Sequence, residues 1–148
     1  MQMRWDNSLE IGINIIDQQH KEIITYINQL HDVVAASGGR DTNAISEVLA
    51  GLISYTETHF AYEEELLDNL NYPFTSDHKK IHQAFGQRMR DYQEKFLVGE
   101  DVVEPLLTEL QSWLRNHIQT SDQHYAEHCD VKQAGPSFLR RTLGKLLN

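Results

Sequence analysis

Residues 59–82 restrict this chain more than any other stretch. They read His59-Phe60-Ala61-Tyr62-Glu63, then a break at Asn71-Tyr72-Pro73, then His78-Lys79-Lys80-Ile81-His82. Each end carries two metal-competent side chains four residues apart. On an α-helix such a pair is offset by about 40° and roughly 6 Å along the axis, so both side chains leave from one side. Folded back as an antiparallel helical hairpin, the stretch sets a His/Glu pair against a His/His pair. That is half of a metal cage, and it needs two further walls.

The rest of the chain offers them. Residues 1–16 read as an extended arm with Trp5, Leu9, Ile11, Ile13 and Ile15 as apolar anchors. A lone strand is not stable, so the arm is expected to pack across a helical body. A first helix is predicted from Asp17, with His20, Ile23, Ile24, Ile27, Leu30 and Val34 at 3–4 spacing, stopped by Gly38-Gly39. A second runs from Asp41-Thr42 to about Leu70, and His59, Phe60 and Glu63 lie on its inner face. Thr75 or Ser76 is expected to cap a third, which reaches Val98 with His78, His82, Phe85 and Met89 on one side. Asp101 is expected to cap a fourth, where Leu106, Leu110, Trp113, Leu114, His117 and Ile118 form the stripe. It continues to about His128.

Four helices with short loops predict an all-α fold: an antiparallel up-down-up-down four-helix bundle. The expected organisation is one domain over residues 1–148, with the arm at 1–16 and the bundle at 17–130. After Gly135, a short amphipathic segment (136–148) sets Leu139, Leu143, Leu146 and Leu147 against Arg140, Arg141 and Lys145.

In such a bundle the candidate ligands are level. His20 lies 19 residues before Gly39 and His59 lies 20 after it. His82 and His117 each lie about 17 residues from the turn at Gly99. Across Pro73 the two pairs are staggered by about four residues, roughly 6 Å. Two metal ions a few ångströms apart would absorb that offset. Five histidines and one or two carboxylates therefore meet in one interior layer. Packing alone does not gather buried histidines, because each needs its own hydrogen-bond partner. A metal uses neutral imidazole and carboxylate directly.

Composition narrows the partners. A net charge of −9 argues against nucleic acid and anionic membranes. No apolar run of about 18 residues is present, so no membrane span is expected. Residues 1–5 lack the apolar core of a signal peptide, which makes the cytoplasm the expected location. The single Cys129 offers no intrachain disulfide.

These residues resemble the hemerythrin family, in its bacterial single-domain form. The similarity runs from Trp5 to about Tyr125. Ile16-Asp17-Gln18-Gln19-His20, His59-x-x-x-Glu63, His78-x-x-x-His82 and His117-x-x-x-x-Asp122 match its motifs. The resemblance implies a four-helix bundle with a non-haem di-iron centre that binds O2 reversibly. It implies His78, His82 and His117 on one iron, His20 and His59 on the other, and Glu63, Asp122 and an oxygen atom as bridges. O2 would take the open position on the two-histidine iron, in an apolar pocket walled by Trp113, Leu114, Ile118, Ile23, Ile24 and Phe60.

The donor set agrees with binding rather than turnover. O2-activating ferritin-like sites use Glu-x-x-His motifs, and none occurs here. No general base or spare nucleophile stands on the inner faces, so an enzyme is not expected. The alternatives are an O2- or redox-responsive regulatory module with a protein partner, and an iron-holding protein.

One feature of helical geometry opposes this ligand set. On a regular helix His124 and His128 fall within about 20° of His117, whereas Asp122 is about 140° away. Use of Asp122 therefore predicts an irregularity between His117 and Asp122, most simply a π-bulge. It also turns His124 and His128 away to the surface or the bundle end.

Overall fold

The computed structural model describes residues 2–129. Helix α1 (Asn14–Ser37) and helix α2 (Thr42–Asn69) form one hairpin. Helix α3 (Thr75–Leu97) and helix α4 (Val103–His117) form the other. The chain then passes through a π-helical turn, Ile118–Asp122, into a last helix, α5 (Gln123–His128). Among the described residues there is no strand. The architecture is the four-helix bundle that the amphipathic stripes predict. The C-terminal segment 136–148 lies outside the described residues.

Local chemistry sets the helix ends. Gly38 takes the left-handed conformation (φ 62°), and the amide of Gly39 reaches back to the Val34 carbonyl at 2.9 Å, closing α1. Asp41 caps α2 by accepting the Ala44 amide at 3.1 Å. Two expected caps are absent. Thr75 is the first residue of α3, and its hydroxyl donates to the Tyr72 carbonyl at 2.7 Å, inside the turn. Val102 rather than Asp101 stands at the cap of α4, and no side chain bonds there. Pro105 is the third residue of α4, where a missing amide costs nothing.

The start of α1 also differs from expectation. It begins at Asn14, three residues early, because Asp17 is not a cap. Its buried carboxylate instead accepts the amides of Ile11 (3.0 Å) and Gly12 (3.1 Å). Those two bonds turn the arm onto the bundle. Asn28 holds the arm's far end through both backbone groups of Met3, at 2.8 and 2.9 Å. Gln119 and Gln123 reach it from the other side, bonding the Ser8 hydroxyl and the Glu10 carbonyl. Met3, Leu9, Ile11 and Ile13 are buried, so the arm joins the core as a fifth layer of contact rather than as a strand.

The core is aliphatic along most of the bundle. Among the described residues nine polar or charged side chains are nevertheless buried: Asp17, Thr56, and the seven candidate ligands of the sequence analysis. Buried carboxylates and imidazoles are costly without partners. That cost concentrates in one layer.

Candidate metal centre

All seven candidate ligands come together: His20 from α1, His59 and Glu63 from α2, His78 and His82 from α3, His117 from α4, and Asp122 from the π turn. All are at most 4% exposed. Six of them form two groups, sharing Glu63, whose ligand atoms lie within 4.8 Å of one another. One is Glu63, His78, His82 and His117; the other is His20, His59 and Glu63.

The carboxylates join the groups. Oε1 of Glu63 lies 2.6 Å from His78 Nε2 and 3.2 Å from His82 Nε2. Its other oxygen, Oε2, faces His59 Nε2 at 3.6 Å. Asp122 is divided the same way. Its Oδ1 faces His117 Nε2 (3.2 Å) and His78 Nε2 (3.3 Å), while Oδ2 faces His20 Nε2 (3.1 Å). Each carboxylate thus presents one oxygen to each histidine group. That is the geometry of a bridging ligand between two cations.

The donors fit metal ions better than they fit one another. Both Asp122 oxygens and His20 Nε2 are buried and make no aligned hydrogen bond, although they lie 3.1–3.3 Å from nitrogen or oxygen neighbours. His82 Nε2 and His117 Nε2 face each other at 3.1 Å. Lone pairs that meet at a common point, rather than along donor–acceptor lines, call for a cation at that point.

Electrostatics carries the same demand. Burial pushes the His59 imidazole down to about 3, so it is neutral at physiological pH. His78 goes the other way: burial opposes its charge, but Asp122 and Glu63 outweigh that and raise it to about 10. Burial would raise the Glu63 and Asp122 carboxyls too, yet the surrounding imidazoles hold both well below their ordinary values. Two ionised carboxylates in a dry layer require positive charge between them.

The outer nitrogens of His59 and His82 have partners as well, which fixes those two rings. Gln19 Oε1 lies 2.6 Å from His59 Nδ1, and a Glu64 oxygen lies 3.4 Å from His82 Nδ1. The Tyr125 hydroxyl, fully buried, donates to Glu63 Oε2 at 3.0 Å. Sequence reasoning missed these three. Gln19 was legible only as the neighbour of His20, and Glu64 reads as ordinary solvated charge. Tyr125 follows the π turn, so its phase could be read only once that turn was placed.

Of the six proposed pocket residues, Ile23, Ile24, Phe60, Leu114 and Ile118 are buried and Trp113 is half-buried. The two aromatics stand at the three-histidine end. Phe60 stacks on His82 with centroids 3.9 Å apart, and Trp113 stacks on His117 at 4.4 Å. The π turn has the expected effect on the fourth wall. Asp122 points inward, while His124 and His128 are exposed at the bundle end.

The comparisons with known proteins converge on one family. The profile of the hemerythrin HHE cation-binding domain matches residues 11–129. A bacteriohemerythrin of Stenotrophomonas maltophilia is 43% identical over 123 residues, covering 83% of this chain and 78% of that protein. A myohemerythrin of Theromyzon tessulatum is 30% identical over 122 residues, covering 82% and 89%. A crystal structure of wild-type hemerythrin superposes with a TM-score of 0.79 at 29% identity, covering 86% of this chain and 97% of that one. A cation-binding profile spanning the whole bundle, over a layer of carboxylates and imidazoles that itself calls for cations, makes this chain a member of the hemerythrin family.

Proposed function

We propose that this protein binds O2 reversibly at a di-iron centre held by His20, His59, Glu63, His78, His82, His117 and Asp122. One observation carries the assignment of ligands: each of Glu63 and Asp122 divides its two oxygens between a three-histidine group and a two-histidine group. Hemerythrins bind O2 at a non-haem di-iron centre, and five imidazoles with two carboxylates suit that metal. When bound, the two irons supply the electrons that O2 takes up.

The chain's own residues supply the rest. Gln19 and Glu64 orient His59 and His82 through their outer nitrogens. Tyr125 holds Glu63. Phe60 and Trp113 cover the faces of His82 and His117. His20 and His59 form the group with two imidazoles rather than three, and an ion held there would have its open side for O2. Buried Leu114, Ile118, Ile23 and Ile24 exclude water there, and with it the protons that would release O2 as peroxide. Among the described residues the buried imidazoles and carboxylates of this layer are all taken up by the ligand set, which supports a carrier. Among the described residues no helix is long and apolar enough to cross a membrane.

Elemental analysis and an optical spectrum test the proposal. Protein made in iron-replete medium is expected to hold two irons per chain. The reduced form should gain an absorption band in air and lose it under argon. A single zinc per chain, or a spectral change that argon does not reverse, overturns the reading.

A further inference from the structure

We propose that metal enters and leaves the buried layer through the groove between α2 and α3, with Glu64 capturing the divalent cation and His82 receiving it. The inference rests on the ligand set assigned above. A cavity of about 350 Å³ opens between the two helices, and buried Phe60 and His82 line its inner side. His82 is the one ligand that borders it. Three other cavities, between the arm and α4, between the arm and α5, and at the far end of the bundle, touch none of the seven ligands.

His82 is the wall between this cavity and the ligand layer. Its Nε2 faces inward, 3.2 Å from Glu63 Oε1, and its Nδ1 faces a Glu64 oxygen at 3.4 Å. Among the described contacts no other ligand imidazole has a carboxylate on its outer nitrogen. Orienting a ring does not need that charge, since the neutral amide of Gln19 serves His59. Glu64 lines the cavity, and its side chain is 23% exposed. Glu57 lines it too, but Arg90 bonds that carboxylate at 2.7 Å. Glu64 is therefore the cavity carboxylate without a lysine or arginine partner among the described residues. It reaches solvent on one side and a metal ligand on the other.

Gly86 is the second, independent observation. It is buried in the middle of α3, four residues after His82. Glycine inside a helix is less stable than alanine, and neither of its usual reasons applies here. Its φ is not positive, and a Cβ at this position would meet no packed neighbour within 4 Å. The open space belongs to the cavity. On a helix, a side chain at position 86 would lean back over the turn that carries His82. Its absence leaves room for the His82 ring to turn outward, take a cation from Glu64 and carry it inward.

The test times metal exchange rather than O2 binding. Reduced, iron-loaded protein under argon is mixed with excess ferrous chelator, and iron loss is followed by the colour of the chelate. The stripped chain is then offered ferrous iron. Gly86→Leu should slow both directions and still reach two irons per chain. Gly86→Ala should melt higher than wild type and slow exchange to a lesser degree. Glu64→Gln keeps an acceptor for His82 Nδ1 and removes the charge. It should slow uptake about tenfold, the low end for a charge that focuses ions into a cleft, and flatten the salt dependence of the rate. Ser112→Leu, in the cavity between the arm and α4, should change neither rate. Unchanged rates in both Gly86 variants, or in Gly86→Ala alone if the leucine variant does not fold, overturn the route. Equal slowing by Ser112→Leu overturns it as well. Faster iron loss from Glu64→Gln with unchanged uptake makes Glu64 an orienting residue only and overturns its capture role. If the chain holds zinc instead of iron, the functional reading fails, and the same rates measured with zinc still decide the route.

Discussion

The π turn at Ile118–Asp122 allows the ligand set to be tested by changing chain length rather than side chains. Inserting one alanine after Thr120 rotates everything beyond it by about 100°. At the Cα radius of about 2.3 Å that moves Asp122 by about 3.5 Å, and its carboxylate farther. The Asp122 oxygens lie only 3.1–3.3 Å from His20, His78 and His117, so all three contacts break. Tyr125 is carried out of the core with them, at a cost of about 2 kcal/mol or more for a fully buried side chain of that size. Deleting Thr120 does the opposite. It sets Asp122 four positions after His117, about 40° away on a regular helix, which is the spacing His59 and Glu63 already use. The cost is confined to the arm, where the Gln119 and Gln123 bonds are worth about 1 kcal/mol each. Iron per chain and a thermal melt are the assays. The deletion should keep two irons with a small loss of stability, and the insertion should lose iron and melt much earlier. A folded deletion variant without iron, or an insertion variant that keeps two irons, would refute the assignment of the bulge as a one-residue device for aiming Asp122.

Three further outcomes are expected. Leu114→Ala, at a side chain 4% exposed, should cost about 2–5 kcal/mol, keep both irons and autoxidise faster; equal autoxidation removes Leu114 from the O2 pocket. Asp17→Ala leaves the Ile11 and Gly12 amides without acceptors, at about 1–3 kcal/mol, and hydrogen exchange should show the arm opening before the bundle; uniform exchange would contradict that order. Iron-free protein should be most stable near pH 6.5. His59 sits at about 3 when folded against an ordinary 6.5, so its contribution is complete above 6.5 and falls as the pH drops toward 3. His78 sits at about 10, so its contribution is complete below 6.5 and is lost as the pH rises toward 10. Denaturant titrations across that range that rise steadily in either direction would contradict the pair.

Much of this protein was determined by sequence alone. The 3.6-residue stripes fixed the helices, because burying one face of each is what makes them stable in water. Level spacing across the loops brought His20, His59, Glu63, His78, His82 and His117 into one layer, because antiparallel helices keep count from their turns. The irregularity before Asp122 followed only once the family resemblance named Asp122 a ligand, since phase alone would have offered His124 and His128. Tertiary structure decided what depends on distances between side chains far apart in the chain. Asp17 reads as a helix cap, and becomes the anchor of the arm only when the Ile11 and Gly12 amides fold against it. Glu64 looks like one more surface charge until His82 from the next helix approaches it. Trp113 and Phe60 have the composition of a pocket wall, but the rings they stack on, His117 and His82, are chosen by helix packing. The bond from Tyr125 to Glu63 spans 62 residues. Periodicity places a side chain on a face; only the packed bundle says which atom it meets there.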